Sequence, residues 1–296
     1  MKIALTVMGA VAVLAAMAGG FFLFVPPPAQ LNMVDYFTPD DGRVAQVVQG
    51  AAYGAAPRQQ LDIWAPRGRG TAELPVVVFF YGGGWHDGDR GSYGFAGRAF
   101  ASQGFIAVVP DYRLVPQVRF PTFVEDGALA VKWVRDHIAE FGGDPARITL
   151  AGHSAGAYNA AMLALDPQFL QRAGVDPKVV RAAALLAGPF DFFPFKGAAA
   201  RNAFGAWPKP ATTQPINHAR ADAPPLLLMQ GTADDTVLPH NATSLAARLR
   251  ALKAAVEVRL YQGKGHNDVV MGLSKPFRGR APTLADSVAF LKAHSR

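Results

Sequence analysis

The chain has 296 residues, of which 50% are hydrophobic and 17% charged, a balance that supports a sizeable folded core and argues against a mainly disordered protein. No cysteine is present, which excludes a disulfide scaffold, a thiolate metal site and a cysteine nucleophile. The net charge is +7, and the excess comes from the segment Arg248–Arg296, which holds ten Lys or Arg and three Asp or Glu. No nucleic-acid-reading module accompanies this charge, so we expect no nucleic-acid partner. The basic segment indicates either a solvated surface or a face near anionic lipid.

The first 25 residues have the pattern of an export or anchor signal. A charge-free run of 23 residues, Ile3–Val25, follows Lys2 and precedes Pro26. At about 1.5 Å per residue, a helix of this length would span roughly 34 Å, enough to cross a bilayer core. We therefore expect residues 1–25 to form an uncleaved signal anchor in the cytoplasmic membrane, with the remaining chain outside the cytoplasm. The alternative is a removed signal peptide and a periplasmic or secreted protein, because Ala16-Met17-Ala18 fits a cleavage pattern.

After this run, residues 26–42 contain Pro, Asp and Gly and predict a linker. From residue 43 to residue 296, apolar strand-like runs alternate with helical stretches, which predicts one doubly wound α/β domain with a mostly parallel sheet. Residues 189–220 lack a clean period and predict a small cap excursion over the edge where open sheets bind ligands. The predicted strands are 44–48, 60–64, 75–81, 105–110, 148–152, 182–187, 226–230 and 257–261, and the predicted helices are 123–141, 154–165, 236–254 and 283–294.

A candidate nucleophile follows the fifth of these strands. The sequence Gly152-His153-Ser154-Ala155-Gly156 lies between a buried strand and a predicted helix. A sharp strand-to-helix turn needs small residues two positions either side of its centre, and it lifts the central side chain clear of the sheet. The pattern therefore predicts that Ser154 is an exposed nucleophile near a helix N-terminus.

The serine needs a base and an orienting carboxylate. We expect His266 to be the base, because it lies in a Gly-containing loop a few residues after the last predicted strand. Asp234 follows the strand before it, so the chain order is Ser154, Asp234, His266, as expected for a hydrolase triad of this type. Asp235 is the alternative acid, although it can instead serve the N-terminus of the following helix.

Acyl transfer also needs N–H donors for the oxyanion. Tyr81-Gly82-Gly83-Gly84-Trp85 directly follows a buried strand, and its glycines allow backbone N–H groups to turn toward a ligand. Gly83 and Gly84, together with Ala155, are the expected donors. Four aromatic residues are candidates for the substrate pocket, although those of the excursion are equally consistent with the core of the cap: Trp85, Phe190, Phe192 and Trp207.

Taken together, these motifs resemble the α/β-hydrolase superfamily, in the esterase/lipase branch that includes hormone-sensitive-lipase-like carboxylesterases and kynurenine-formamidase-like enzymes. The likeness spans about residues 44–293. It implies an α/β-hydrolase fold, a serine hydrolase mechanism and no metal or organic cofactor. One departure is Tyr81, since the family usually has His before the glycines. Further segments that carry the likeness are Gln60–Trp64, Asp111–Leu114, Phe120-Pro121 with Glu125-Asp126, Gly142–Pro145, Pro224–Leu227 and Gly231–Val237.

Three functions remain open on the sequence. The first is a carboxylesterase that acts on a small-molecule ester through an acyl-enzyme. The second is an amidase, formamidase or peptidase with the same triad. The third is a catalytically silent binding protein on the hydrolase fold, against which the intact Ser, Asp and His argue.

Overall fold

A computed structural model describes residues 25–39, 42–68 and 70–295, and these residues are built around one eight-stranded sheet. The predicted signal anchor therefore lies outside the described residues, apart from Val25. Across the described ranges, no helix is long and apolar enough to span a membrane.

The sheet has the strand order 1-2-4-3-5-6-7-8. The second strand runs antiparallel to both of its neighbours, and the six strands from the third onward are parallel to one another. All eight predicted strands are present, and the doubly wound architecture is confirmed. The strands are β1 (Val44–Ala52), β2 (Gln60–Pro66), β3 (Leu74–Phe80), β4 (Ile106–Pro110), β5 (Gly143–His153), β6 (Val180–Leu186), β7 (Leu226–Gly231) and β8 (Val256–Tyr261).

The helices cover the sheet and bury its central strands, so that β4 is buried at every position. The four predicted helices are present, the last with the predicted ends and the other three with altered ends. Those that the pattern did not predict are short or contain glycine, so an apolar period has little length in which to appear. In the described residues the α-helices are α1 (Pro27–Phe37), α2 (Gly94–Ala101), α3 (Thr122–His137), α4 (Ala155–Leu165), α5 (Pro167–Arg172), α6 (Ala198–Phe204), α7 (His240–Ala251), α8 (His266–Met271) and α9 (Thr283–His294).

Helix α1 replaces most of the linker that was expected at residues 26–42. Pro27 and Pro28 occupy its first positions, where a fixed φ and a missing N–H do not disturb the helix. Asp35 then fixes α1 to the domain, because its buried carboxylate pairs with Arg98 at 2.7 Å and accepts the Lys275 N–H at 2.7 Å. The prolines that suggested a linker therefore start a helix that packs on the α/β domain.

The expected cap excursion at residues 189–220 contains α6 and two short 3-10 helices, Pro210–Thr213 and Pro215–His218. Its backbone is joined to the rest of the domain, since the Phe120 N–H donates to Ala203 O at 3.0 Å. The segment is thus a small packed addition to the sheet domain.

Candidate active site

Ser154 stands at a strained turn between β5 and α4. Its backbone has φ 54° and ψ −122°, a region that non-glycine residues rarely adopt. The turn is held on both sides, because the Ser154 N–H donates to Leu186 O at 2.9 Å and the Tyr158 N–H donates to Ser154 O at 3.1 Å. Strain of this kind at a sharp turn between a strand and a helix is typical of a nucleophile elbow.

The two glycines of the turn are required by close packing. A Cβ at Gly156 would overlap the carbonyl oxygens of Phe80 and Tyr81, and a Cβ at Gly152 would overlap the carbonyl group of Gly156. The start of α4 therefore lies directly against the end of β3. Only glycine at both positions allows this approach, as the sequence pattern predicted.

His266 and Asp234 meet across the ends of β7 and β8. His266 Nδ1 lies 2.8 Å from Asp234 Oδ2, and both side chains are largely shielded from solvent. The other carboxylate oxygen accepts the N–H groups of Thr236 at 3.0 Å and Val237 at 2.8 Å. Gln230 adds a fourth donor, since its Nε2 lies 2.8 Å from Oδ2.

These contacts set the charge of Asp234. Burial alone would raise the pKa of the carboxyl, but the hydrogen bond and positive charge of His266, with the Val237 N–H and the Gln230 amide, lower the pKa of Asp234 below its ordinary value. The carboxylate is therefore ionised and oriented toward the imidazole. Asp235, the alternative acid, is exposed, and its nearest hydrogen-bond partner is Thr236 Oγ1 at 3.4 Å.

The glycine loop after β3 lies against the elbow. A Cβ at Gly82 would come 3.2 Å from Ser154 Cβ, and Gly83 and Gly84 have φ of 133° and 58°. Within residues 25–39, 42–68 and 70–295, neither Gly83 nor Gly84 donates its N–H to another protein group. Ala155 is the first residue of α4, where an N–H has no acceptor inside the helix. Both segments thus present N–H groups beside Ser154.

Tyr81 anchors this loop from behind. Its hydroxyl donates to Asp111 Oδ1 at 2.8 Å and accepts from Arg58 Nη2 at 2.8 Å. The same guanidinium donates to Gly88 O at 2.8 Å, and Tyr112 Oη donates to the Tyr81 carbonyl at 2.9 Å. Burial, with the nearby Tyr112 and Asp111, raises the pKa of Tyr81 well above its ordinary value, so the phenol keeps its proton as a donor. The residue that departs from the family pattern is therefore a fixed part of the loop's support.

His153 packs beside the candidate base. Its ring centroid lies 4.8 Å from that of His266, and its Nε2 lies 3.3 Å from His266 O. Burial, followed by the positive charge of His266, lowers the pKa of His153 to about 3, so the ring is neutral. Nδ1 of His153 has no hydrogen-bond partner among the described residues. The sequence alone does not indicate this packing, because it depends on how the loop that carries His266 meets the elbow.

A cavity of about 670 Å³ contains Ser154, His266, Gly83 and Gly84. Most of its other walls are apolar, and several come from segments that the sequence did not connect with the site. Leu31 and Val34 of α1 lie at the edge of this cavity, and Val34 is 44% exposed. The further apolar walls are Pro27, Pro28, Tyr93, Phe95, Val270, Met271 and Phe277.

The four aromatic residues that were candidates for the pocket lie elsewhere. They are not among the residues that line the cavity at Ser154, and three of them belong to a cluster of rings around Phe120 and Phe204. Trp85 and Phe192 pack on Phe204 with centroids 4.8 and 5.3 Å away. Trp207 packs on Phe120 at 5.0 Å, and Phe190 is buried. Their packing supports the alternative interpretation, in which they form the core beneath the cap.

Comparison with known proteins identifies relatives over most of the chain. The family model BD-FAE matches residues 61–249. A probable isoprenylcysteine alpha-carbonyl methylesterase of Arabidopsis thaliana is 32% identical over 283 residues, which cover 87% of this chain and 57% of that protein. Esterase LipC of Mycobacterium tuberculosis is 31% identical over 235 residues, 72% of this chain and 58% of the relative. This chain therefore spans less than two thirds of the length of either relative.

Comparison with solved structures supports the α/β-hydrolase fold. The apo form of Thermogutta terrifontis esterase 2 superposes with a TM-score of 0.70 at 26% identity. The match covers 87% of this chain and 97% of that one.

Proposed function

Because the chain belongs to the BD-FAE family and has the α/β-hydrolase fold, we propose that it is a serine hydrolase that cleaves carboxylic esters. The observation that carries the proposal is one cavity that holds the strained Ser154 together with His266, whose far side is paired with Asp234. The relatives named as esterases support ester bonds over amide bonds.

The first half of the reaction forms an acyl-enzyme. His266 takes the proton of the Ser154 hydroxyl while Ser154 Oγ attacks the ester carbonyl carbon. Negative charge develops on the carbonyl oxygen, and the N–H groups of Gly83, Gly84 and Ala155 stabilise it. The tetrahedral intermediate then breaks its bond to the alcohol oxygen, which leaves with the proton held by His266.

The second half releases the acid. A water molecule gives a proton to His266 and attacks the acyl carbon, and the same N–H groups stabilise the second oxyanion. The bond to Ser154 Oγ breaks, and His266 returns the proton to the serine. Asp234 holds the imidazole and stabilises its positive form during both halves.

The cavity favours esters with an apolar portion. Its volume is within the range of ligand pockets, roughly 300–1,000 Å³, and most of its walls are hydrocarbon or aromatic. A substrate panel tests the proposal. We expect p-nitrophenyl acetate and butyrate to be hydrolysed with a much higher kcat/KM than N-formylkynurenine or p-nitroanilides. A higher kcat/KM for the amide substrates would instead support the amidase alternative.

We further propose that residues 1–25 anchor the protein in the cytoplasmic membrane, with the catalytic domain outside the cytoplasm. The support is the charge-free run Ile3–Val25 behind Lys2. The measurement is membrane fractionation with N-terminal sequencing of the mature protein. A membrane-bound protein that retains Phe21–Val25 after a high-salt wash is the expected result. A periplasmic protein that begins near Gly19 would show a cleaved signal peptide, and full-length protein in the soluble cytoplasm would contradict both.

A further inference from the structure

The outer face of α1 is apolar and open to solvent. Met33, Tyr36 and Phe37 lie three and four positions apart, so they share one side of the helix. Their exposures are 45%, 66% and 74%, which is unusual for three large apolar side chains at adjacent positions on one short helix. The opposite side holds the buried Asp35. The ion pair between Asp35 and Arg98 holds the inner side of α1 against the domain, so the apolar side faces the solvent.

This surface continues into the catalytic cavity. Val34 lines the cavity at Ser154, and it also lines a shallow outer groove with Met33 and Phe37. Val34 therefore borders both the exposed face of α1 and the cavity that contains the nucleophile.

Basic residues lie near Phe277 at the rim of the cavity. Phe277 lines the cavity and also a neighbouring groove that contains Lys264 and Arg280. Arg280 and Arg278 are exposed. Arg280 is paired with Asp268 at 2.9 Å, so the basic side chains near Phe277 are partly balanced by an acidic one.

The chain places this mouth next to the apolar N-terminal run. The run ends at Val25, and α1 begins at Pro27. Only Pro26 intervenes, so α1 can lie no more than about 7 Å of chain from the end of the run. A segment of bilayer-spanning length and composition thus leads directly into the exposed apolar helix.

We propose that the outer face of α1 and the basic rim at Lys264, Arg278 and Arg280 dock on an anionic lipid bilayer, so that the cavity opens toward the lipid. Apolar side chains enter the boundary between headgroups and acyl chains, while Lys and Arg contact anionic headgroups. The substrate class that follows is an amphiphilic ester that moves from the bilayer along α1 to Ser154. This inference about substrate rests on the proposed ester hydrolysis, whereas the docking itself does not.

The absence of cysteine allows a direct test of docking. Single-cysteine variants Phe37→Cys and Val47→Cys of the full chain are spin-labelled and reconstituted in vesicles of equal parts phosphatidylcholine and phosphatidylglycerol. Val47 is the matched control, because it is a 40% exposed apolar residue on the edge strand β1 and lines neither the cavity nor the groove. Paramagnetic relaxation by oxygen, which concentrates in lipid, is compared with relaxation by a water-soluble nickel complex.

Docking predicts that the label at position 37 is accessible to oxygen and protected from nickel, with the opposite result at position 47. Two results would overturn the proposal. One is a label at position 37 that is as accessible to nickel as the control. The other is a label at position 37 that is shielded from both reagents, which would place a second copy of the chain on this face.

A kinetic comparison tests the route of the substrate. In the same vesicles, the double variant Met33→Ser with Phe37→Ser should lower the hydrolysis of a bilayer-embedded long-chain ester by roughly tenfold, because two large apolar contacts with lipid are lost. Its rate on soluble p-nitrophenyl butyrate, and both rates of Val47→Ser, should be unchanged. Equal rates on the embedded ester for the double variant and the control would contradict entry from lipid. If the unmodified chain hydrolyses neither ester, the proposed function fails. The accessibility of the spin labels to oxygen and nickel still tests whether α1 docks on the bilayer.

Discussion

His266 Nδ1 lies 2.8 Å from Asp234 Oδ2 although 32 residues separate the two in the chain. They meet because β7 and β8 are parallel neighbours, so the loops that follow these strands leave the sheet at the same edge. A hydrogen bond from Nδ1 to the carboxylate leaves Nε2 as the ring atom that accepts a proton. The pairing therefore decides which end of the imidazole acts as a base.

Asp234→Asn should lower kcat by about 10⁴-fold, by analogy with the loss of the orienting aspartate in a serine protease triad. The amide presents a donor where the imidazole needs an acceptor, so the ring loses its tautomer and the stabilisation of its positive form. Asp235→Asn is the matched control. It should change kcat little, because Asp235 is exposed and bonds to Thr236. Steady-state kinetics on p-nitrophenyl butyrate measures both variants, and a reversed order of the two losses would assign the acid to Asp235.

Gly156→Ala should prevent stable folding. The added methyl would overlap the carbonyl oxygens of Phe80 and Tyr81, so the start of α4 would have to move away from β3. Gly197→Ala is the control, because Gly197 has φ −82° and no atom would lie within 4 Å of an added Cβ. Soluble yield and thermal unfolding compare the two. A Gly156→Ala protein with an unchanged Tm would contradict the close packing of the elbow.

The buried His153 should make the protein less stable in acid. Its pKa is about 3 in the folded protein and 6.5 in an unfolded reference, so the unfolded chain binds more protons between these values. The free energy of unfolding is therefore fully developed above pH 6.5 and falls as the pH decreases toward 3. His153→Gln should remove about 2 kcal/mol of the loss between about pH 7 and pH 5. Urea unfolding at a series of pH values measures the slopes, and identical slopes in both proteins would refute a neutral buried ring.

Tyr81→Phe should lower the free energy of unfolding by about 1–3 kcal/mol, because the buried Asp111 loses a donor and Arg58 loses an acceptor. The kcat should fall as well, since the network behind the glycine loop also holds Gly88 through Arg58. Tyr36→Phe removes a hydroxyl from an exposed ring and serves as the control. Urea unfolding and ester kinetics report the two effects. Unchanged stability and kcat in Tyr81→Phe would mean that the hydroxyl network does not support the loop.

The sequence was sufficient for the sheet and for the residues at its carboxyl edge. Eight apolar runs predicted eight strands, and the order of motifs along a parallel sheet placed Ser154, Asp234, His266 and the glycines at one edge. Helix α1 was not predicted, because it begins with two prolines and is stabilised by Arg98 and Lys275, which lie far away in the chain. Long-range contacts of this kind leave no local period in the sequence.

The aromatic residues expected to line the substrate pocket pack elsewhere for a related reason. Composition identifies apolar residues of the cap but does not say which of them face one another and which face a cavity. Trp85 and Phe192 pack on Phe204, while Leu31 and Val34 of α1 line the cavity instead. The surface that faces the substrate depends on how separate segments of the chain meet. These tertiary contacts leave no local pattern in the sequence.

The central claim is that Ser154 is the nucleophile of an ester hydrolase, and active-site labelling with kinetics tests it most directly. The full-length chain and Ser154→Ala are incubated with a fluorophosphonate, and hydrolysis of p-nitrophenyl butyrate is measured on the same samples. We predict that the unmodified chain is labelled at Ser154 and turns over the ester. Ser154→Ala, with unchanged circular dichroism, should lose both the label and nearly all of the turnover. A folded Ser154→Ala protein that keeps most of its activity, or a label on another residue, would contradict the assignment.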